Sequence, residues 1–231
     1  MGLWSKFKKG VTAVGRTIKD AAKFSVDTFV AKPVGFATSW VPVTKKMRIQ
    51  VFILRNEFGD SILNSADIQN LQDALNYAIR TFKEKFDIEL KAYANPIIQT
   101  LNNPAPNNAL DVACDTGAMK NELGSAGNYF ESHLAGWNVI PISLAFPISV
   151  LIVREIKGKL GCSLGAATDY VTLSVQGTGS ISTLAHELAH SCGLFHRNDI
   201  GNIMYHNSNR GNEVTYWQKT VVRSCRHVSF L

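Results

Sequence analysis

Nothing in this 231-residue chain repeats at a fixed period, and no stretch of it is low in complexity. Solenoid, fibrous and compositionally biased architectures are thereby excluded. Charged residues make up only 18% against 45% hydrophobic, the balance of a globular core and not of a disordered chain. A long uninterrupted apolar run is also lacking. Residues 137–153 carry no charge, but Pro141 and Pro147 break the stretch and it is short for a membrane span, so it reads as buried strand. The first 30 residues alternate charged with apolar groups and contain no apolar core of a secretory signal peptide. Gly2 is followed by a hydroxyl residue at Ser5, one position too early for a myristoylation signal. None of the four cysteines stands in the Cys-x-x-Cys spacing of a structural zinc site.

Beyond the first 50 residues the chain also lacks excess positive charge. Residues 1–50 hold ten basic and two acidic groups, a balance of +8, while the remainder holds 14 and 16, a balance of −2; together they make the net +6. A nucleic-acid surface would need basic residues on the body, so nucleic acid is not expected as a partner. The basic segment is a unit of its own. Leu3, Trp4, Phe7, Val11, Val14 and Ile18 recur at helical steps with Lys6, Lys9, Arg16 and Lys19 on the other side, the pattern of a basic amphipathic helix over residues 1–30. Its first residues resemble the start of cationic amphipathic antimicrobial peptides of the dermaseptin type. A leader read by an export or injection apparatus, a membrane-surface helix, a propeptide and a docked helix all remain open for it. Pro33, Gly35 and Pro42 mark a linker, dividing the chain into an N-terminal segment, 1–44, and a body, 45–231.

In the body, residues 48–54 read as a strand, and residues 65–86 as a helix capped by Ser65 or Asp67 with Ile68, Leu71, Leu75, Ala78, Ile79 and Phe82 as its apolar stripe. Strands are expected at 88–93, 138–145, 148–156, 160–167 and 170–175, and irregular structure over 95–136. Helices are expected at 182–192, stopping at Gly193, and at 215–226, capped by Thr215. The order predicts an α+β (mixed α/β) domain with a twisted sheet.

One segment carries chemistry: His186-Glu187-Leu188-Ala189-His190-Ser191-Cys192-Gly193-Leu194-Phe195-His196. Residues four apart share a helix face, so His186 and His190 can bind one metal ion. Continued helix would turn position 196 by about 1000° from 186, roughly 80° off that face and about 15 Å along the axis. A residue with positive φ at Gly193 can end the helix and let His196 return as third ligand. Three neutral imidazoles suit Zn²⁺ and leave a fourth position for water, whose proton Glu187 would take as general base and pass to the leaving amine. At average composition such a motif arises by chance in on the order of one chain in 10⁵, so chemistry is the reading to test.

The pattern His-Glu-x-x-His-x-x-Gly-x-x-His resembles the zinc signature of the metzincin peptidases, and Asn202-Ile203-Met204-Tyr205 resembles their Met-turn. The resemblance spans roughly 46–231 and implies a zinc endopeptidase acting on protein or peptide substrates. Met204 would form an apolar floor beneath one catalytic ion. Residues 160–167 would be the strand pairing with substrate, and 204–216 would border a specificity pocket. Tyr205 and His206 are candidates for transition-state or pocket roles. Arg197 and the Met204-Tyr205-His206 order fit no particular subfamily. The packing implied for the terminal helix makes a Cys192–Cys225 bridge attractive, with Cys114–Cys162 as its complement; four buried thiols are the alternative. Two bridges would suit an enzyme secreted or exported without a standard signal peptide. A rival function is a toxin or effector whose basic N-terminus acts on membranes or partners, with the metal domain as carrier. His133 and His227 are expected as surface or loop residues.

Overall fold

The computed structural model describes residues 43–114, 125–135 and 146–230. The amphipathic segment 1–30 and the strand expected at 138–145 lie outside them. No described helix is long and apolar enough to cross a membrane.

The organising element is β1 (Lys45–Arg55), eleven residues of which the odd-numbered Met47, Ile49, Val51 and Ile53 are buried on one face of the sheet. One edge of β1 pairs in parallel with β2 (Ile88–Ala92) and then with β3 (Ile98–Pro104), which continue each other along it. The other edge pairs in parallel with β5 (Ile148–Val153) and, at its start, antiparallel with β9 (Val228–Ser229). The sheet runs on through β8 (Tyr170–Ser174), parallel to β5, to β7 (Gly161–Ser163), antiparallel to β8 and paired among the described residues with β8 alone. Every residue of β5 is buried, as a central strand covered on both faces requires. The short β4 (Asp111–Val112) and β6 (Glu155–Ile156) form a separate parallel pair. The result is a mixed α/β fold around a mixed sheet.

Period-two alternation sorts the apolar residues into two clusters. Met47, Ile49, Val51, Ile148, Val150 and Ile152 join α1 (Ser65–Thr81) and α5 (Thr183–Ser191) on one side. Leu54, Leu151 and Val153 join α2 (Asn107–Leu110) and α3 (Ser125–Ser132) in the second cluster. The cap of α1 is Asn64, not Ser65 or Asp67. Its side chain accepts from the Asp67 amide at 3.0 Å and the Asp67 carboxylate in turn accepts from the Asn64 amide, so Asp67 is the third residue of a capping box. A single π-helical turn, Phe82–Phe86, extends α1 and closes at Asp87 with φ 59°.

Residues 95–136, expected to be irregular, contain β3, α2, β4 and α3. Their signal is weak because β3 is largely exposed and the others span two to eight residues. Residues 148–156 divide at Arg154 between two sheets, and 160–167 comprise β7 followed by a 3₁₀ turn, Gly165–Ala167. Behind α5 a short helix, α4 (Val175–Thr178), leads out of β8. The last helix, α6 (Tyr216–Arg223), is capped by Thr215 through a capping box with Gln218.

Cys114 and Cys162 form a disulfide. The second expected bridge is not closed. Cys192 and Cys225 are buried thiols whose sulfurs stand 2.9 Å apart, within hydrogen-bonding reach but well beyond a bond of about 2.05 Å. Nor is His227 a surface residue: it is fully buried and its Nδ1 meets the Phe146 carbonyl at 2.8 Å.

Candidate metal centre

Helix α5 presents two faces with different tasks. Leu184, Ala185, Leu188 and Ala189 are fully buried in the main core, which fixes the helix against the sheet and α1. One step round, His186 and His190 project into a cavity of about 540 Å³. The helix stops at Cys192, and Gly193 follows with φ +94°, a left-handed conformation costly for a residue with a Cβ. The Gly193 amide bonds back to the His190 carbonyl at 2.8 Å and that of Leu194 to the Ala189 carbonyl at 3.2 Å, so the chain reverses and carries His196 to the same cavity.

The three Nε2 atoms converge: His186–His190 3.1 Å, His190–His196 3.1 Å, His186–His196 3.3 Å. In His186 the Nδ1 lies 2.8 Å from the Ile203 carbonyl, and in His190 2.7 Å from the Leu194 carbonyl. A carbonyl only accepts, so both Nδ1 atoms carry the proton and both Nε2 atoms are bare lone pairs. Burial above all, with the Arg210 charge contributing, pushes His186 down to about 3 and His190 to about 4. Both rings are therefore neutral at pH 7. Two lone pairs facing each other at 3.1 Å repel unless a cation lies between them. Tetrahedral zinc with Zn–N bonds of 2.0–2.1 Å holds its ligands about 3.3 Å apart, and the observed spacings fit that donor set. These three histidines can hold a metal ion.

The segment 202–205 braces this arrangement. Ile203 supplies the carbonyl that orients His186. Met204 is fully buried in the same core as α5. Its carbonyl accepts from the Arg197 amide at 2.9 Å, which ties the turn to the residue after His196. Asn202 and Gln218 exchange two side-chain hydrogen bonds, 2.9 and 3.0 Å, in a buried pair that locks the turn to α6.

Glu187 is buried, 7% exposed, and lines the cavity beside the histidines. With the histidines metal-free, burial pushes its carboxyl up to about 8, against the opposing pull of Arg210 and Lys159. A cation held by the histidines would add to that pull and favour the ionised form that can accept a proton. Its position is set from across the cleft by a residue with no motif to announce it. A Cβ added at Gly161 of β7 would stand 2.7 Å from Glu187 Cγ, so the strand approaches the carboxylate because position 161 has no side chain. Of the two flanking candidates, His206 lines the cavity and Tyr205 does not; their rings lie 4.4 Å apart. Arg210 and Lys159 also line it, and neither stood out in the sequence, because only the folded loops bring them there.

No family model matches the chain, and no curated protein matches it. Among solved structures it is similar to metalloproteinase-II from Bacteroides fragilis, with 13% identity, a TM-score of 0.48 and coverage of 76% of this chain. The chain spans about half the length of that protein, 51%. A likeness of this degree leaves the chemistry to be argued from the side chains themselves.

Proposed function

We propose that the protein is a zinc-dependent endopeptidase of metzincin type, with His186, His190 and His196 as metal ligands and Glu187 as general base. The observation that carries this reading is the convergence of three imidazole Nε2 atoms within 3.3 Å, two of them stripped of protons by carbonyl partners. A bound Zn²⁺ supplies Lewis acidity, lowering the pKa of a water and polarising a peptide carbonyl.

The chain's own residues supply the rest. Glu187 accepts the proton of the attacking water and delivers it to the departing amine, so no covalent intermediate with the protein forms. The main-chain edge of β7, paired with β8 alone among the described residues, offers an extended substrate a strand to join. Gly161 sits in that strand and faces Glu187, which brings the substrate backbone and the base to opposite sides of one narrow cleft. The carbonyls of Ile203 and Leu194 hold two ligand rings in the productive tautomer, the orienting role that partners of metal-bound histidines serve generally.

The test pairs metal analysis with a peptide-library cleavage profile for the wild type and Glu187→Ala. The expected result is one zinc per chain in both proteins and cleavage only in the wild type. Cleavage that persists in the Glu187→Ala protein, or a wild type that takes up no metal, overturns the proposal.

A further inference from the structure

Arg210 enters the cavity from the loop between the Met-turn and α6, and its surroundings are unusual for a guanidinium. It is only partly exposed, and burial pulls its pKa below the ordinary value. Its Nε donates to the Tyr205 carbonyl at 2.9 Å, while Nη1 reaches the Ser182 hydroxyl and Nη2 the His206 carbonyl, each only at 3.4 Å. All three acceptors are neutral. Among the described residues no carboxylate lies within ion-pairing distance of it, whereas buried Arg226 has Asp169 at 2.6 Å and Arg223 has Asp87 at 3.1 Å.

The opposite wall repeats the charge. Lys159, in the turn between β6 and β7, lines the same cavity and donates to the Cys114 carbonyl. Against these two cations, the described lining holds one carboxylate, Glu187, which the proposed chemistry already employs. The described lining therefore sets two cations against a single carboxyl, which feels the charge of both but forms an ion pair with neither. A guanidinium anchored through Nε, with both Nη atoms held only by long contacts, is set to bind a planar carboxylate through its fork.

Resting on the endopeptidase reading, we infer that Arg210, assisted by Lys159, selects substrates that place a carboxylate beside the scissile bond. That carboxylate comes either from an Asp or Glu side chain or from the free C-terminus of a short peptide. The chemistry is the same, and the two sources are separable by experiment. Arg210 is a specificity-determining residue in this scheme and takes no part in bond breaking.

The experiment uses the full-length zinc-loaded protein and a randomised peptide library synthesised with free and with amidated C-termini. Wild type is expected to enrich Asp and Glu over Asn and Gln at one position by about 10- to 100-fold in kcat/KM, the discrimination typical of a charge-assisted hydrogen bond. If the terminal carboxylate is the ligand, the discrimination appears instead between free and amidated C-termini, amidation lowering kcat/KM by the same factor. Arg210→Gln is expected to bring the Glu-to-Gln ratio to about one, Arg210→Lys to restore part of it, and Arg210→Glu to invert it in favour of Lys. A role confined to holding the 205–210 loop would depress every substrate alike and leave the ratio untouched, which overturns the inference. Fluorescence anisotropy of uncleaved Glu and Gln peptides on the zinc-loaded Glu187→Ala protein supplies a readout independent of turnover, and the same ratio is expected there. Cleavage without any acidic or C-terminal preference sinks the inference and leaves the peptidase standing. Failure of the wild type to cleave or bind any peptide sinks the peptidase reading and takes the inference with it.

Discussion

The two clusters flanking the central sheet are built in opposite ways. The cluster carrying the three histidines is held by long elements: α1 and α5 bury Leu71, Ala74, Leu184 and Leu188 against the odd-numbered residues of β1. The other is assembled from α2, α3 and the β4–β6 pair, none longer than eight residues, and it is covalently tied by Cys114–Cys162. Short elements bury too little apolar surface to define themselves, so a staple supplies what packing does not. The two meet at the cleft, where Cys114 and Cys162 line the same cavity as the histidines. A precise site rests on the well-packed side, and its far wall is borrowed from the stapled side.

The largest effect expected is on the staple. Replacing both Cys114 and Cys162 by Ser opens a link spanning 48 residues, which chain entropy values at about 4 kcal/mol. Urea unfolding of the double variant should show a loss approaching that amount, and hydrogen exchange should rise first over 98–114 and 125–135 while zinc stoichiometry is kept. Equal loss of protection in α5 would show that the two sides are one cooperative unit and that the contrast between them is only architectural.

At the cleft itself, Gly161→Ala tests how closely the two walls must meet. The new methyl group would lie 2.7 Å from Glu187 Cγ and 3.0 Å from Thr183 Cγ2, so the carboxylate must move. A displacement of order 1 Å at a reacting group costs about 100-fold in rate. The expected outcome is a fall of about that size in kcat with unchanged zinc content. Unchanged kcat would mean that Glu187 has room to retreat and that β7 does not set its position.

The same contrast explains what could be read from the sequence. His186, His190, Gly193 and His196 were legible because helix geometry and one glycine impose local rules that their spacing obeys. Thr215 was legible as a cap for the same reason, while its partner Gln218 emerged only in the fold. The stretch 95–136 was not, since β3 exposes most of its residues and offers no alternation to detect. Gly161 and Arg210 were invisible for a different reason. Their importance lies in contacts with residues distant in the chain, Gly161 with Glu187 and Arg210 with Ser182, and a single sequence carries no mark of them. The Cys192–Cys225 pairing shows an intermediate case: proximity was inferred correctly, and the bond was not.

The smallest effect concerns a charge buried on the well-packed side. Lys45, 1% exposed at the start of β1, donates to the Arg223 carbonyl at 2.8 Å and stands 4.7 Å from the Phe230 ring centre. Burial first, and then the Arg223 charge, lower its pKa from 10.5 to about 8. Between those values the unfolded chain holds more protons than the folded one, so stability rises with pH across that window, and below about 8 the full penalty applies. Between pH 7.5 and 9.5 the wild type should gain about 2 kcal/mol relative to Lys45→Met, which has no such proton to lose. Urea unfolding of both proteins at the two pH values measures the difference directly. Parallel stability curves for the two proteins would show that Lys45 reaches enough water to keep its ordinary value. The well-packed side would then be less dry at its edge than the burial of its apolar residues implies.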